Sequence, residues 1–391
     1  MTNLPQGWEV KKLGEIGEIV TGSTPSKSNL DFYGKDYPFF KPSDFEQGYF
    51  LENAGDNLSK LGFDKARQLP PKTILVVCIG SLGKVALTRV IGSCNQQINA
   101  IIPHKNIIAE YIYYYCISSK FQSILFSKAP QTTLAILNKT EFSKLEIIYP
   151  KDIKEQERIV GILDESFAKI DESIKILEQD LLNLDELMQS ALQKAFNPLK
   201  DNAKENYKLP QSWEWKSLEE ISENISAGGD KPKNCTESKT AKNQIPVYAN
   251  GVNNNGLVGY TDKATIIKPS LTISARGTIG FVCIRKEPYF PIVRLISLIP
   301  CENILCLHYL YFCLNFFIAK GEGSSIPQLT IPKFKSLQIP LPPLKEQEQI
   351  AKHLDFVFEK TKALKELYTK ELKDYEELKQ SLLNKAFKGE L

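Results

Sequence analysis

The stretch IKEQERIVGILDESF at 153–167 returns as LKEQEQIAKHLDFVF at 344–358, displaced by 191 residues. At the same displacement LMQSALQKAF (187–196) returns as LKQSLLNKAF (378–387), so two segments of some 40 residues align end to end without a gap. Self-similarity at a fixed displacement is a statement about architecture, because each copy specifies the same local structure. Working outward, LPQGWEVKKLGEI (4–16) matches LPQSWEWKSLEEI (209–221) at nine of thirteen positions. The interiors agree more loosely, IGSLGKVAL (79–87) with ARGTIGFVC (275–283) and PQTTLAILNKTEFSKLEI (130–147) with PQLTIPKFKSLQI (327–339). The chain is therefore built twice, as globular half, long segment, globular half, long segment, with a kept frame and changed interiors.

The long segments read as helices. In the first, apolar residues recur at 163, 167, 170, 174, 177, 181, 184, 188, 191 and 195, alternating steps of 4 and 3, which is a coiled-coil seam. At a rise of 1.5 Å per residue such a helix is about 60 Å long, and Asn197-Pro198 is expected to stop it. The second carries a rougher stripe of Ile350, Leu354, Val357, Phe358, Leu364, Leu367, Tyr368, Leu372, Tyr375, Leu378 and Leu382. Lys365 and Lys379 stand where the first segment has Ile174 and Met188, so a partner surface must rotate slightly or admit their stems. The two seams are expected to pack on each other, antiparallel because only 198–207 is obvious linker, which gives a pseudo-twofold chain.

Each globular half mixes strand and helix signals. In the first, ILVVCIG, KVALTRVI and QQINAIIP predict strands, residues 107–126 a helix holding Tyr111, Tyr113, Tyr114 and Tyr115, and KLEIIYP a closing strand ending at Pro150. The second repeats this order through TIIKPSLTISARGTIGFVCI, YLYFCLNFFIAK and SLQIPLPP. The expected fold class is mixed α/β: two α/β domains separated by two long antiparallel coiled-coil helices. The expected boundaries are 1–152, 153–197, 198–343 with a short linker at its start, and 344–391. Strand order is not legible.

Composition excludes several classes. The chain of 391 residues is 42% hydrophobic and 24% charged, which suits globular domains. Its polar N-terminus carries no targeting pattern, and the most apolar run, Ile304 to Ile318, is shorter than the roughly 20 residues a membrane span needs. Eight cysteines form no CxxC pair and His104, His308 and His353 are isolated, so no metal framework is expected, and free core thiols fit a cytoplasmic protein. Residues 155–196 carry a net charge of −6 and 346–391 of −1, leaving +10 on the remainder of a chain whose total is +3. A polyanion would meet the globular halves and other partners the acidic helix. Gly80-Ser81-Leu82-Gly83-Lys84 lacks both the earlier glycine and the following Ser or Thr of a phosphate loop, and GxGxxG, HExxH and GxSxG are missing. The chain reads as non-catalytic.

The frame resembles the specificity subunit of type I restriction–modification systems over essentially its whole length. The resemblance rests on LPQGWE and LPQSWE, on TGSTP (21–25), on IIYPKDIKEQERIVGILD (147–164) and IPLPPLKEQEQIAKHLD (339–355), and on the two helix ends at 187–196 and 378–387. The second half departs from it at SAGGDKP (226–232), where TGSTP has no match, so residues cannot be transferred between the halves there. The resemblance implies two target-recognition domains, each reading half of a split double-stranded DNA target, with the helices as spacer and ruler. It also implies docking of two modification (methyltransferase) subunits that bind S-adenosylmethionine and methylate adenine, and of restriction/translocase subunits that use ATP and Mg. No catalytic, cofactor-binding or metal-binding residue is expected in this chain. The acidic helix 155–196 and the KEQE stretches at 154–157 and 345–348 are the expected docking surface. The alternative is a protein-interaction scaffold with duplicated heads, and a standalone nuclease or nucleotide-dependent enzyme is a third possibility.

Candidate DNA contacts divide by chemistry, with charge for phosphates and amides or arginine for bases. For phosphates in the first half they are Lys27, Lys41, Arg67, Lys84, Arg89 and Lys128, with Asn95, Gln96, Gln97, Gln131 and Thr132 for base edges. In the second half the basic group is Lys231, Lys233, Arg276, Lys286 and Arg294, with Asn250, Asn253, Asn254, Asn255, Ser324, Ser325 and Gln328 as polar readers. GVNNNG (251–256) is equally a turn signal.

Overall fold

A computed structural model describes residues 4–129, 135–200, 212–318 and 329–391. Gln131, Thr132, Ser324, Ser325 and Gln328, and most of the expected linker, lie outside the described residues. The chain divides into two compact units, Met1–Glu178 with Thr369–Leu391 and Gln179–Tyr368. The division cuts through both long helices, so each unit owns one α/β body and a part of each helix.

In the first unit the opening strand Trp8–Lys12 pairs antiparallel with Glu146–Pro150, the strand that leads into the central helix. A five-stranded sheet follows in the order Gly17–Thr21, Ile98–Pro103, Ile74–Val77, Val85–Thr88, Phe50–Leu51, antiparallel except at the last pair. A three-stranded sheet sets Tyr33–Phe40 between Asp56–Leu58 (antiparallel) and Ser93–Cys94 (parallel). The second unit repeats this plan. Glu214–Ser217 pairs with Gln338–Leu341, and the larger sheet runs Ser222–Ala227, Ile296–Pro300, Ser270–Ile273, Val282–Arg285. Its smaller sheet sets Ile245–Tyr248 between Leu257–Thr261 and Phe290–Pro291, again with one antiparallel and one parallel neighbour. Strands Ile74–Val77 and Val85–Thr88 lie within the runs ILVVCIG and KVALTRVI that predicted them.

The helix expected over 107–126 is two helices, Ala109–Ile117 and Ser119–Lys128. Ser118 breaks it by adopting an extended conformation and accepting a hydrogen bond from the Phe121 N–H, which favours a new helix start over continuation. All four tyrosines of the first helix are buried. The Tyr111 hydroxyl donates to the Ile148 carbonyl (3.0 Å), as that of Tyr309 donates to Pro340 (2.8 Å) in the second unit. Buried tyrosine survives because its hydroxyl finds such an acceptor.

The long helices span Ile153–Lys200 and Leu344–Ala386. The first continues past Asn197-Pro198, the pair expected to end it: proline costs the Lys194 carbonyl its i→i−4 bond, a single loss near the end of a helix of 48 residues. Every seam position from Leu163 to Ala195 is buried or half-buried. At the far end Leu192 and Phe196 sit deeper than Ala191 and Ala195, because Phe196 packs against Tyr309, Phe316 and Phe317. In the first unit Ile159 and Leu163 share a core with Leu383 and Phe387, and Asp171 pairs with Lys379 at 2.6 Å. In the second, Asp185 pairs with Lys365, and Leu192 and Phe196 share a core with Leu354. As one helix advances the other retreats, so within each unit they run antiparallel.

The stripe read on the C-terminal helix needs correction. Leu364, Leu367 and Leu378 are 38%, 55% and 45% exposed, while Thr361, Lys365 and Lys379 are buried or half-buried. The true seam keeps strict 4–3 spacing through 354, 358, 361, 365, 368, 372, 375, 379, 382 and 386, with the lysine stems packed and their ammonium groups reaching aspartates. Substituting Lys379 by methionine, the residue at the equivalent position 188, is expected to leave stability within about 1 kcal/mol or raise it, since methionine keeps the packed stem and the Asp171 left behind is exposed to solvent. Thermal unfolding of the variant measures this.

Candidate nucleic-acid interface

In each unit three loops converge at one end of the larger sheet. In the first unit, Gly22 donates its N–H to Ile98 (3.0 Å) and Ser23 donates to Cys94 (2.9 Å), laying the turn after strand Gly17–Thr21 against the loop 94–97. That loop meets the hairpin turn 79–83 through Cys78 N–H to the Gln97 carbonyl (2.7 Å) and the Gln97 amide to Ile79. The turn needs both its glycines: Gly80 and Gly83 have φ of 81° and 89°, a region costly for residues with a Cβ. Arg67 joins the platform, its N–H on the Ser23 hydroxyl and its guanidinium on the Thr21 carbonyl.

The second unit builds the same platform from different residues. Gly228 donates to Leu295 (2.8 Å), Val293 to Gly229 (2.8 Å) and Arg294 to Gly228 (2.8 Å). Gly228 is thus the counterpart of Gly22, a match the sequence could not give because TGSTP and SAGGDKP do not align. The hairpin turn 276–280 repeats positive φ at Gly277 and Gly280 (70° and 82°). Asn250 ties the loops together, accepting from Ala275 N–H (2.8 Å) and donating to the Val293 carbonyl (2.7 Å).

These contacts sort the candidate residues. Asn95 is buried; its side chain accepts from Gln97 N–H (3.1 Å) and donates to the Gln97 side-chain oxygen (2.8 Å), so it shapes the loop instead of facing a groove. Gln97 is held likewise, and Asn250 has both ends of its amide on backbone. For these three the expected base-reading role gives way to loop building. Gln96 is exposed, with the Thr24 hydroxyl on its side-chain oxygen. Arg67, Arg276 and Arg294 are exposed on the platforms, as are Lys27, Lys231 and Lys233 just beyond the first loops. Lys41 follows Phe40, which accepts from Asn95 N–H, and pairs with Asp56. Lys84 follows the hairpin turn and reaches Glu46 at 3.6 Å. Lys128 is exposed two residues beyond Phe126, whose ring faces Gly83.

Two basic residues fall elsewhere. Arg89 and Lys286 lie just past the far ends of strands Val85–Thr88 and Val282–Arg285, about 13 Å from the turns at ~3.3 Å per residue. Arg89 stacks 3.7 Å over Phe50, pairs with Glu52, and lines a cleft of about 740 Å³ with Tyr49, Phe167 and Lys379. Asn253, Asn254 and Asn255 are exposed on a tight turn, the last two at φ of 48° and 51°. Asparagine tolerates that region, so the turn signal in GVNNNG is real. Arg285, not singled out from sequence, holds this turn: its guanidinium lies 3.5 Å over Tyr248 and donates to the Asn255 carbonyl (2.6 Å) and the Thr272 hydroxyl (3.0 Å).

The KEQE stretches also change meaning. Gln156 and Gln347 are fully buried. Gln156 accepts from Ile108 N–H (2.9 Å) and donates to the Pro150 and Asn106 carbonyls, and Gln347 accepts from Cys306 N–H (2.9 Å) and donates to Pro342 and Ile304. Each glutamine bolts a long helix to the α/β body, so within the expected docking motif only the flanking charged residues can meet a partner. Beside the first platform, burial pushes the Cys78 and Cys94 thiols up to about 12, keeping them protonated and inert. No helix among the described residues is long and apolar enough to cross a membrane.

Duplicated α/β bodies with matched loop platforms, each closed by antiparallel helix segments, define a class of two-headed recognition proteins. The profile of the type I restriction modification DNA specificity domain matches residues 5–181 and again 210–374. The chain belongs to that family and is a DNA-recognition specificity subunit of the type I kind. The HindI specificity subunit of Haemophilus influenzae is 38% identical over 186 residues, covering 46% of this chain and 40% of that protein. The MjaIX specificity subunit of Methanocaldococcus jannaschii is 24% identical over 378 residues, covering 87% and 84%. Two solved structures share the fold over the full length of this chain. One, from work on assembly and conformational transition of the type I R-M system, has a TM-score of 0.83 at 19% identity and is itself covered completely. The other, the HsdS subunit of Thermoanaerobacter tengcongensis, has 0.62 at 20% identity with 98% of its chain covered.

Proposed function

We propose that the chain reads a two-part double-stranded DNA target, one half-sequence per unit, and recruits two modification subunits together with restriction subunits. The observation that carries this reading is the duplicated three-loop platform: a core of main-chain hydrogen bonds recurs in both units, Gly22 to Ile98 as Gly228 to Leu295 and Asn95 to Phe40 as Ile292 to Tyr248, while the remaining ties and the exposed side chains differ. A kept frame with changed tips is what two readers of different half-sequences need. Catalysis, with its S-adenosylmethionine, ATP and Mg, belongs to the partner subunits in a cytoplasmic complex, and this chain supplies position and specificity. Exposed acidic residues of the central helix such as Glu165, Glu172 and Glu178 are available to those partners.

Methylation mapping of the assembled complex tests the reading. Exchanging residues 22–145 for the matching part of a relative is expected to change one half-sequence only, and a change in both would refute independent readers. Lys231→Ala with Lys233→Ala is expected to weaken binding to all sequences alike and to lower the slope of log affinity against log salt by roughly 1 to 2, as for lost phosphate contacts. A loss confined to particular bases would show that these lysines do something else.

A further inference from the structure

The tip of the second platform carries an anomaly. Val293 and Arg294 both adopt left-handed backbone conformations, with φ of 54° and 59°. For a β-branched residue this is a marked outlier, and glycine or asparagine would hold the turn with less strain. The conformation is fixed from three sides: the Val293 N–H is on the Gly229 carbonyl, its carbonyl takes the Asn250 amide, and the Arg294 N–H is on Gly228. The tip's main-chain donors and the Val293 carbonyl are therefore engaged inside the protein, while the two side chains stand exposed, Val293 at 52%. A strained backbone that turns an apolar and a cationic side chain to solvent carries a cost with no packing return, which points to a ligand.

Superposing the hydrogen-bond frames gives the counterpart. Asn95 N–H bonds to Phe40 and Ile292 N–H to Tyr248; Ile98 N–H bonds to Asn95 and Leu295 N–H to Ile292. Val293-Arg294 therefore stands where the first unit has Gln96-Gln97. Of that pair Gln97 is tied down by Asn95, so Gln96 is the side chain presented. One tip offers an amide, the other a guanidinium beside a branched methyl pair. Amides match the adenine edge in the major groove, guanidinium matches the O6 and N7 of guanine, and an apolar group suits the thymine methyl.

We propose that Val293-Arg294 is the base-reading tip of the second unit, with Arg294 reading a guanine and Val293 resting on the methyl group of a neighbouring thymine. The inference rests on the two-part DNA reading above. It is tested in the full complex, this chain with its modification subunits, by mapping methylated motifs for the wild type, R294A, V293G and Q96A. For R294A, discrimination at one G·C pair is expected to fall about 10- to 100-fold while the other half-sequence is unchanged. Q96A is expected to relax an A·T pair in the opposite half. V293G is expected to raise the melting temperature of the purified chain by about 3 °C through relief of strain, and to lose the wild type's preference for thymine over deoxyuridine beside the guanine.

Relaxation at an A·T pair, an equal loss at all positions, or no change in R294A would overturn the proposal while leaving the two-part reading in place. A V293G protein that melts lower would remove the strain argument and with it the assignment of Val293. If the wild-type complex methylates no two-part motif, the parent reading fails and this inference falls with it.

Discussion

Gln156→Leu is expected to destabilise the first unit by about 4 kcal/mol, since each buried group left without its partner costs about 1–3 kcal/mol. The side chain is fully buried and serves one N–H and two carbonyls, of Ile108, Pro150 and Asn106. Leucine fills most of the volume, so the cost is one of polar groups and not of a cavity. Gln347→Leu should do the same to the second unit through Cys306, Pro342 and Ile304. Gln156→Glu should be no milder, because it would set an ionisable carboxyl against two carbonyl oxygens. Hydrogen exchange measured along the chain separates the units: protection should fall over 98–150 in the first variant and over 296–341 in the second. A loss below about 1 kcal/mol for both would mean these glutamines are not the bolts that fix helix to body.

Gly22→Ala should remove reading of the first half-sequence and cost about 3 kcal/mol, at the upper end of overpacking substitutions. A Cβ at this position would overlap the carbonyl oxygens of Cys94 and Asn95, so the loops must part. The clash is with backbone and cannot be relieved by a rotamer change. Gly228→Ala is the matching test, with the added carbon 2.6 Å from the Ile292 nitrogen. The expected pattern is reciprocal: methylation mapping of the Gly22 variant should lose the half-sequence that the Gly228 variant keeps. Retention of both half-sequences in either variant would separate the three-loop platform from recognition.

The register of the repeat made much of the architecture legible. Glu155-Gln156-Glu157 and Glu346-Gln347-Glu348 are 191 residues apart, as are Phe196 and Phe387, and each pair occupies equivalent places in the two units. The seam of the central helix was readable because burial on one face imposes a 4–3 period whatever the partner. On the C-terminal helix the same reasoning picked Leu364, Leu367 and Leu378, and for Lys365 and Lys379 left two outcomes, a rotated surface or admitted stems, of which the second holds. Apolarity stood in for burial there, and it fails where a lysine stem can pack while its charge meets Asp185 or Asp171.

The residues exposed on the platforms were only partly legible. Charge and amide content gathered Gln96, Arg67, Arg276 and Arg294 onto the platforms but also brought in Asn95, Gln97 and Asn250, which hold the loops, and Arg89 and Lys286, which lie at the far strand ends. A side-chain amide serves a backbone carbonyl as well as it serves a base, so residue type alone does not distinguish the two uses. The equivalence of Gly22 with Gly228 and of Gln97 with Arg294 rests on main-chain hydrogen bonds, which leave no mark on side-chain identity.

By itself the sequence determined that the protein is built twice, that it carries two long helices in matching register and which face the central one buries, because these follow from periodicity within a continuous segment. Tertiary structure decided the strand order, the antiparallel pairing in each unit, the interior role of the KEQE glutamines and which polar side chains remain free to meet a ligand. Those depend on contacts between residues far apart in the chain, such as Gln156 with Ile108 or Asn250 with Val293, where one hydrogen bond decides whether a polar group is spent inside the protein or presented to a partner.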